Sequence, residues 1–459
     1  MSPAPAAPAR STSTATARWK PDLSAFRLEV FSTFRCQPPM KEGNRATRPG
    51  SPFLWRIGMS AGAAREHHWD SLRAFLMLLG IPYHAAMAYN ARVLWDIQSP
   101  DKSEFLTFLS GVFVTFRMPA FFIVAGYFAA MMLERRAAGS WLRGRFVRLG
   151  VPFLTGLALL APLQIALVDI NQALTGTMSM TSALDQAARD VTHPGFSWIM
   201  HLWFLPALLA YSTLLVLVWH PLRQLPLAGL VQRIRQTTLA HPRTALALLT
   251  LIVMAWEVFV HLAHQTMLAR DGTLSYLLAH GIDPYLRYLP FFLIGVALRS
   301  VAELRGAFVW KKGRTLPALA VITAIAASLL RGRDTTGVEL AYNAVDGAAA
   351  VLMSLVVIGI AERFWNRPDP RIDRIVDASF SIYLLHHPII YALATLFLLT
   401  TWPPLVEFLL VCLVTSVLSY AAHRLIRRSA LALFLFNGVP MSGKTRDGGR
   451  PQGSITTLR

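Results

Sequence analysis

Histidines and arginines inside long apolar segments are the residues of this 459-residue sequence that are best suited to chemistry. His84 lies in the first such segment, downstream of Asp70 and Arg73. A charged side chain in the middle of a bilayer costs about 2.5–3.5 kcal/mol on insertion scales, so such residues usually mark a substrate pathway or a reaction site. A neutral imidazole can serve as a general base near neutral pH. We therefore predict that His84, Arg73 and Asp70 mark a substrate pathway or a reaction site.

The spacing of these three residues predicts how they are arranged on a helix. Asp70 and Arg73 are three residues apart, so they share a helix face and can form an ion pair. His84 follows Arg73 by about three helical turns, which places it on the same stripe roughly 16 Å further along the axis. The alternative interpretation is a boundary salt bridge and a packed, hydrogen-bonded histidine.

Arg117 lies in the second apolar segment, at about the same predicted depth as His84. An arginine stays protonated, so at this depth it requires an anionic partner. That partner is either the carboxylate of a ligand or a structural ion pair with Asp346 or Glu257. The sequence leaves these alternatives open.

Arg145 and Arg148 are three residues apart at the start of the third apolar segment. Two neighbouring guanidinium groups suit the oxygens of a phosphate, which they bind in a bidentate manner. The alternative is ordinary positive charge on a cytoplasmic loop.

Further polar residues interrupt later apolar segments and are predicted to line a substrate pathway: His201, Glu257, Asp346, His386 and His387. Glu257 shares a helix face with His261 and His264, a set that could bind a metal ion. The spacing follows no strict metal-site motif, so we expect no metal.

The elements that position these residues are long apolar segments. The sequence is 54% hydrophobic and only 15% charged, whereas a soluble globular chain is about a quarter charged. We predict an all-α polytopic membrane protein with about ten transmembrane helices. The predicted spans are 68–90, 104–133, 149–170, 200–219, 244–264, 284–302, 315–331, 338–361, 379–399 and 402–423.

The distribution of positive charge predicts the orientation of the chain. The formal net charge is +19. With the N-terminus inside, about 35 Lys and Arg residues lie in cytoplasmic segments and about six outside, as the positive-inside rule requires. We therefore expect both termini in the cytoplasm, and the charge does not indicate a nucleic-acid partner.

The two ends of the chain differ from the apolar region, 65–428. Residues 1–60 are rich in Ala, Pro, Ser, Thr and Arg, which predicts a disordered tail or a mis-annotated start; a transit peptide is a further alternative. Residues 440–459 are expected to form a flexible cytoplasmic tail.

Several segments resemble the acyltransferase 3 family of membrane-bound enzymes. Residues 65–84 (REHHWDSLRAFLMLLGIPYH) resemble its first helix, in which an arginine precedes a histidine by ten intervening residues. Arg145 and Arg148 match its cytoplasmic Arg-x-x-Arg motif. The runs FRMPAFFIVAGYF, HLWFLPALL and SFSIYLLHHP follow in the family's order. Within the family, the first helix is most similar to a branch that adds succinyl groups to periplasmic glucans.

This resemblance implies an O-acyltransferase of the bacterial inner membrane that acts on an extracytoplasmic glycan. An acyl-CoA, succinyl-CoA or acetyl-CoA, would be the co-substrate, and no cofactor would be tightly bound. Arg145 and Arg148, with Arg136, would hold the CoA phosphates. His84 would act as general base or become transiently acylated, while Asp70 and Arg73 orient the donor. Membrane lipid, the glycan and other glucan-biosynthesis proteins are the implied partners.

Two rival functions fit the same residues. Intramembrane charges and proline-broken helices are also typical of a transporter or flippase, here for an acylated or glycan substrate. Alternatively, the enzyme class is the same but the reaction is O-acetylation of another polysaccharide.

Overall fold

The computed structural model describes residues 66–226, 228–269, 273–333 and 335–441, which form helices and turns without a β-strand. The predicted tail 1–60 lies outside the described residues, and so does the predicted tail 440–459 apart from its first two residues. The prediction of an all-helical chain is confirmed for the part of the chain that the structure describes.

Seventeen α-helices follow one another in these residues. They are α1 (His67–Leu78), α2 (Gly80–Met87), α3 (Glu104–Arg135), α4 (Ala138–Arg145), α5 (Val151–Leu159), α6 (Ala161–Leu174), α7 (Met180–Thr192), α8 (Phe204–Gln224), α9 (Ala228–Ala240), α10 (Pro242–Leu268), α11 (Thr273–Ser300), α12 (Ala302–Phe308), α13 (Thr315–Leu330), α14 (Thr336–Phe364), α15 (Pro370–Phe397), α16 (Pro404–Ile426) and α17 (Ala430–Asn437). A π-helical turn, Phe146–Gly150, joins α4 to α5, and a 3₁₀ turn, Met200–Trp203, leads into α8.

Six of the described helices are long and apolar enough to cross a membrane: α3, α8 with its preceding turn, α10, α14, α15 and α16. A seventh span arises if the bent segment from α4 to α6, with its 43° bend, crosses as one unit. The other three predicted spans correspond to α1 with α2, to part of α11 and to the 16-residue helix α13. The chain is therefore a helical membrane protein, and the full set of ten spans stays a prediction.

The first predicted span is divided in two. Helix α1 ends at Leu78 and α2 begins at Gly80. Pro82 explains the break, because proline has no N–H to donate to the carbonyl of Leu78, four residues earlier. The prediction of one continuous stripe from Asp70 to His84 is therefore corrected: the two ends of that stripe lie on separate helices.

Helix α3 lies at the centre of the bundle and packs against α2, α11, α13 and α14. Its closest approach is to α11. A Cβ added to Gly126 would lie 2.0 Å from the carbonyl oxygen of Phe292, and one added to Gly295 would lie 2.0 Å from that of Ile123. Small residues let helix backbones approach closely in membranes, so this glycine pair fixes α11 against α3.

Helix α15 forms the second half of the bundle and packs against α1, α2, α6 and α16. Its middle carries two adjacent buried histidines, His386 and His387. Since α2 packs on both α3 and α15, His84 lies where the two halves meet.

Candidate active site

Four histidines from three separate parts of the chain form one cluster. The ring centroid of His84 lies 5.3 Å from that of His386 and 4.7 Å from that of His387. His201, from the turn before α8, lies 5.5 Å from His386 and stacks on His387 at 4.2 Å. The structure thus brings His84, the predicted catalytic histidine, together with three histidines that are predicted to line the pathway.

Three of these rings are held by hydrogen bonds to oxygen acceptors. Nδ1 of His386 donates to the carbonyl of Tyr383 at 2.6 Å, and Nε2 of His201 donates to that of Leu384 at 3.3 Å. Nδ1 of His387 donates to Oε1 of Gln164 at 2.6 Å. An oxygen acceptor requires the bonded ring nitrogen to carry the proton, so these bonds fix the tautomer of each neutral ring.

His84 differs from the other three. Its Nδ1 is buried without a hydrogen-bond partner, and its ring packs edge-on against Tyr83 and stacks at 5.7 Å on Trp95. Apolar and aromatic contacts hold such a ring in place without fixing its proton. His201 and His386 also have one buried ring nitrogen each without a partner, Nδ1 and Nε2. His84 is therefore distinguished by its aromatic packing and by the arginine that precedes it at the spacing found in the sequence, and it is the candidate general base.

Arg117 lies beside the histidine cluster. Its guanidinium group stands 4.5 Å from the centre of the Tyr83 ring, a cation–π contact. A Cβ on Gly80 would lie 2.9 Å from Nη1 of Arg117 and 3.1 Å from Nε2 of His386. Gly80 therefore leaves the space in which the arginine approaches the histidines.

Arg117 forms no ion pair with a carboxylate among the described residues, and its Nε is buried without a hydrogen-bond partner. Glu257, one proposed structural partner, instead binds Arg287 at 2.7 Å, so that alternative is wrong. Asp346, the other, has an Oδ1 that is buried without a hydrogen-bond partner. Within the described part of the chain, a ligand carboxylate thus remains the best partner for Arg117.

A second group of positive charge consists of Arg73 on α1 and of Arg145 and Arg148 on the segment between α3 and α5. Arg145 lies within electrostatic reach of Arg73 and Arg148. Its Nε donates to the hydroxyl of Ser212 at 3.3 Å, and its guanidinium group lies 5.6 Å from the Trp141 ring. Like charges repel, so an anion that binds between these arginines would relieve the repulsion.

The neighbours of this group agree in part with the sequence predictions. Asp70 and Arg73 form the predicted ion pair, at 3.6 Å. Arg148 lies on the π-helical turn Phe146–Gly150, a geometry that is frequent at functional sites. Arg136 is exposed just beyond the end of α3, and its role in donor binding stays a prediction.

Glu257 and Asp346 line a different, polar cavity of about 400 Å³ between α3, α10, α11 and α14. Arg287 binds Glu257 there and also donates to Asn343 at 3.1 Å. His261 pairs with Glu339, and His264 with Asp283, each at 3.6 Å. Among the described residues, no group of three or more His, Cys, Asp or Glu side chains is arranged to hold a metal ion.

Sequence reasoning missed three residues that contact the cluster: Tyr83, Trp95 and Gln164. Gln164 is a fully buried amide inside an apolar segment, and that position is itself a signal of function in a membrane helix. Trp95 lies in the loop after α2, and no local pattern connects it with His84.

Comparison with known proteins agrees with this geometry. The domain profile described as an acyltransferase domain matches residues 66–424. Relatives include the glucans biosynthesis protein C of Escherichia coli O157:H7, of Shigella dysenteriae serotype 1 (strain Sd197) and of Escherichia coli (strain K12). Each is 28% identical over 400 residues, which cover 84% of this chain and 97% of the relative.

No solved structure was found to match the chain. The domain match nevertheless spans most of the sequence and includes the four histidines and the arginines of both groups. The chain belongs to the acyltransferase 3 family and is an O-acyltransferase.

Proposed function

We propose that this enzyme transfers an acyl group, succinyl, from cytoplasmic acyl-CoA to a hydroxyl group of an extracytoplasmic glycan such as periplasmic glucan, in the bacterial inner membrane. The observation that carries the proposal is the cluster of four histidines, in which the ring of His84 lies against His386, His387 and Trp95 and has a buried Nδ1 without a partner. The name that the relatives share supports a glucan as the acceptor.

The arginine group supports the donor part of the proposal. Arg73, Arg145 and Arg148 lie at the end of the bundle where α3 ends, and CoA carries several phosphate groups that guanidinium groups bind well. Arg117 lies beside His84, where its guanidinium group would form an ion pair with the free carboxylate of a succinyl group. The donor would thus bind with its phosphates at the first group and its acyl end at the second.

The reaction needs two proton transfers and one exchange of bonds. His84 takes the proton from the acceptor hydroxyl, whose oxygen forms a bond to the thioester carbonyl carbon. The C–S bond then breaks, and the leaving thiolate takes the proton from the imidazolium to give free CoA. Alternatively, a ring nitrogen of His84 attacks the thioester carbonyl carbon, the C–S bond breaks, and CoA leaves as the thiol with the ring proton. The acceptor hydroxyl then attacks the acyl-imidazole, the C–N bond breaks, and the hydroxyl proton returns to the ring.

Release of CoA tests the proposal. The purified chain, given succinyl-CoA and glucan, is expected to liberate free CoA and form a succinyl ester. His84→Ala should abolish both, whereas His193→Ala, which changes an exposed histidine on α7's C-terminal side, should retain them. A transporter or flippase would release no CoA in either protein, and that result would refute the enzyme mechanism proposed here.

The acceptor requires a separate test in cells. Mass analysis of periplasmic glucans from a deletion strain should show the loss of their acyl substituents. Unaltered glucan substitution would rule out the glucan assignment, and a changed acetyl content of another polysaccharide would favour the O-acetyltransferase alternative.

A further inference from the structure

A second cavity, of about 580 Å³, lies beside the histidine cluster. Its walls are the loop between α2 and α3 and the C-terminal part of α6 with the turn that follows. The lining residues are Leu94, Trp95, Asp96, Gln98, Ser99, Pro100, Lys102, Val168, Asn171, Gln172, Thr175 and Thr177. Its volume lies within the range of about 300–1,000 Å³ that is typical of small-molecule sites.

Trp95 is shared by this cavity and the cluster. Its ring stacks at 5.7 Å on His84 and meets His387 edge-on at 5.6 Å. Tyr391 packs against it at 5.1 Å and donates a hydrogen bond of 2.7 Å to Asp96. A ligand in the cavity that touches Trp95 therefore lies one aromatic ring away from the proposed catalytic histidine.

The wall of the cavity is held in place by amide hydrogen bonds. The side chain of Asn171 accepts from the backbone N–H of Gln98 at 3.0 Å and donates to its carbonyl at 3.2 Å. The side chain of Gln98 donates to the carbonyl of Trp95 at 2.8 Å. These bonds fix the loop that carries Trp95 on the end of α6, so the tryptophan ring is a preorganised surface.

The lining has the chemistry of a carbohydrate site. Amide and hydroxyl groups form hydrogen bonds with sugar hydroxyls. The amide of Gln172 can donate and accept here, while the hydroxyls of Thr175 and Thr177, which donate to backbone carbonyls, can accept. The apolar face of a sugar ring packs on a tryptophan ring. Asp96 and Lys102 are the ionised side chains of the lining, one of each sign, so the cavity has no net charge to attract a polyanion.

The position of the cavity also fits an acceptor. The loop after α2 and the start of α3 lie at one end of α3, and Arg145 follows the other end. Helix α3 has 32 residues, which is about 48 Å at 1.5 Å per residue. The cavity and the proposed donor phosphates are therefore at opposite ends of the bundle, with His84 between them.

We propose that this cavity is the acceptor subsite, that it binds a neutral, hydroxyl-rich oligosaccharide on Trp95, and that it presents one sugar hydroxyl to His84. The inference rests on the proposed function for the reaction that follows binding, but binding itself can be measured without any donor. The polar cavity at Glu257 is a weaker candidate, because the carboxylates of Glu257 and Asp283 in its lining are already ion-paired with Arg287.

Direct binding tests the subsite. The full chain in lipid nanodiscs is titrated calorimetrically with a short neutral glucose oligomer, without acyl-CoA. Trp95→Ala should weaken binding by about ten-fold or more, as removal of an aromatic anchor does. Trp95→Phe should restore most of it, and Gln172→Ala should weaken it. Trp402→Ala, a matched change of an exposed tryptophan that is not part of the cavity, should leave binding unchanged.

Steady-state kinetics give the second measurement. In CoA-release assays, Trp95→Ala and Gln172→Ala should raise the KM for the oligomer more than they change the KM for succinyl-CoA. If both variants bind and use the oligomer as the wild type does, the subsite is refuted while the proposed function stands. If the oligomer binds as expected but no acyl group is transferred, the proposed function fails and the subsite stands. Preferred binding of an anionic oligosaccharide would refute the neutral acceptor.

Discussion

At the scale of single residues, the four histidines differ in what their ring nitrogens contact. His201, His386 and His387 each donate to an oxygen that fixes one tautomer. His84, His201 and His386 each have one buried ring nitrogen with no partner, but the ring of His84 packs on Tyr83 and Trp95. Hydrogen bonds therefore fix the tautomer at three positions, and His84 is the candidate base at the fourth.

Arg117 leads to a prediction about donor selectivity. Arg117→Ala should lower the ratio of kcat/KM for succinyl-CoA to that for acetyl-CoA by about ten-fold or more, since hydrogen bonds to a charged group contribute about 1.5–3 kcal/mol. Initial rates of CoA release with both donors measure this ratio. Arg189→Ala, on the exposed surface of α7, is the control. An unchanged ratio in Arg117→Ala would refute Arg117 as the partner of the succinyl carboxylate.

At the scale of elements, the π-helical turn that carries Arg148 packs against the residue that follows α17. Gly438 has a positive φ of 60°, and a Cβ added to it would lie 2.5 Å from Cα of Arg148. Helix α17 also packs on α5 and α15. The last described helix therefore supports the backbone of the proposed phosphate site.

We predict that Gly438→Ala raises the KM for acyl-CoA several-fold, because the new Cβ displaces the turn that holds Arg148. Gly313→Ala is the matched control: its φ is also positive, at 90°, but nothing lies within 4 Å of the added Cβ. Donor titrations of CoA release compare the two variants. An unchanged donor KM in Gly438→Ala would contradict the role of its contact with Arg148. An equal rise of the donor KM in both variants would show that backbone strain alone causes the rise.

At the scale of the whole molecule, a network of charges joins distant parts of the chain near the start of α1. Glu66 binds Arg305 of α12 at 2.6 Å and accepts a hydrogen bond of 2.6 Å from Tyr127 of α3. Burial alone would raise the pKa of Glu66, but the bonds from Tyr127 and Arg305 outweigh it and lower the pKa below its usual value. This network holds three segments together at one end of the bundle.

The lowered pKa of Glu66 predicts a dependence of stability on pH. A carboxyl group whose pKa is lower in the folded state stabilises that state fully above its unfolded pKa, about 4.3, and loses this effect as the pH falls through the folded pKa. The difference in thermal unfolding temperature between wild type and Glu66→Gln should therefore be largest near neutral pH and shrink in acid. A difference that grows in acid would contradict the role of Glu66.

The orientation of the chain in the membrane is a further prediction at this scale. The excess of Lys and Arg in alternate loops predicts that both termini lie in the cytoplasm. Green fluorescent protein fused after the last residue should fluoresce, and alkaline phosphatase fused there should be inactive. A fusion within the segment Met180–Thr192, predicted to be extracytoplasmic, should show the opposite behaviour. Active phosphatase at the C-terminus would overturn the predicted orientation.

The sequence by itself determined that the chain is a helical membrane protein of the acyltransferase 3 family, and it picked out His84, Arg117, Arg145 and Arg148. Apolar length, charge distribution and short motifs are local properties, so they can be read along the chain. The same local reasoning placed His84 and Asp70 on one span, whereas the structure divides that span before Pro82.

Only the tertiary structure decided which residues meet. His84 and His387 are about 300 residues apart in sequence, yet their rings are neighbours because α2 and α15 pack together. Gln164 fixes His387, and Trp95 joins the cluster to a cavity. Such contacts depend on how helices pack in three dimensions, through close approaches like that of Gly126 to α11, and no periodicity within a single segment specifies them.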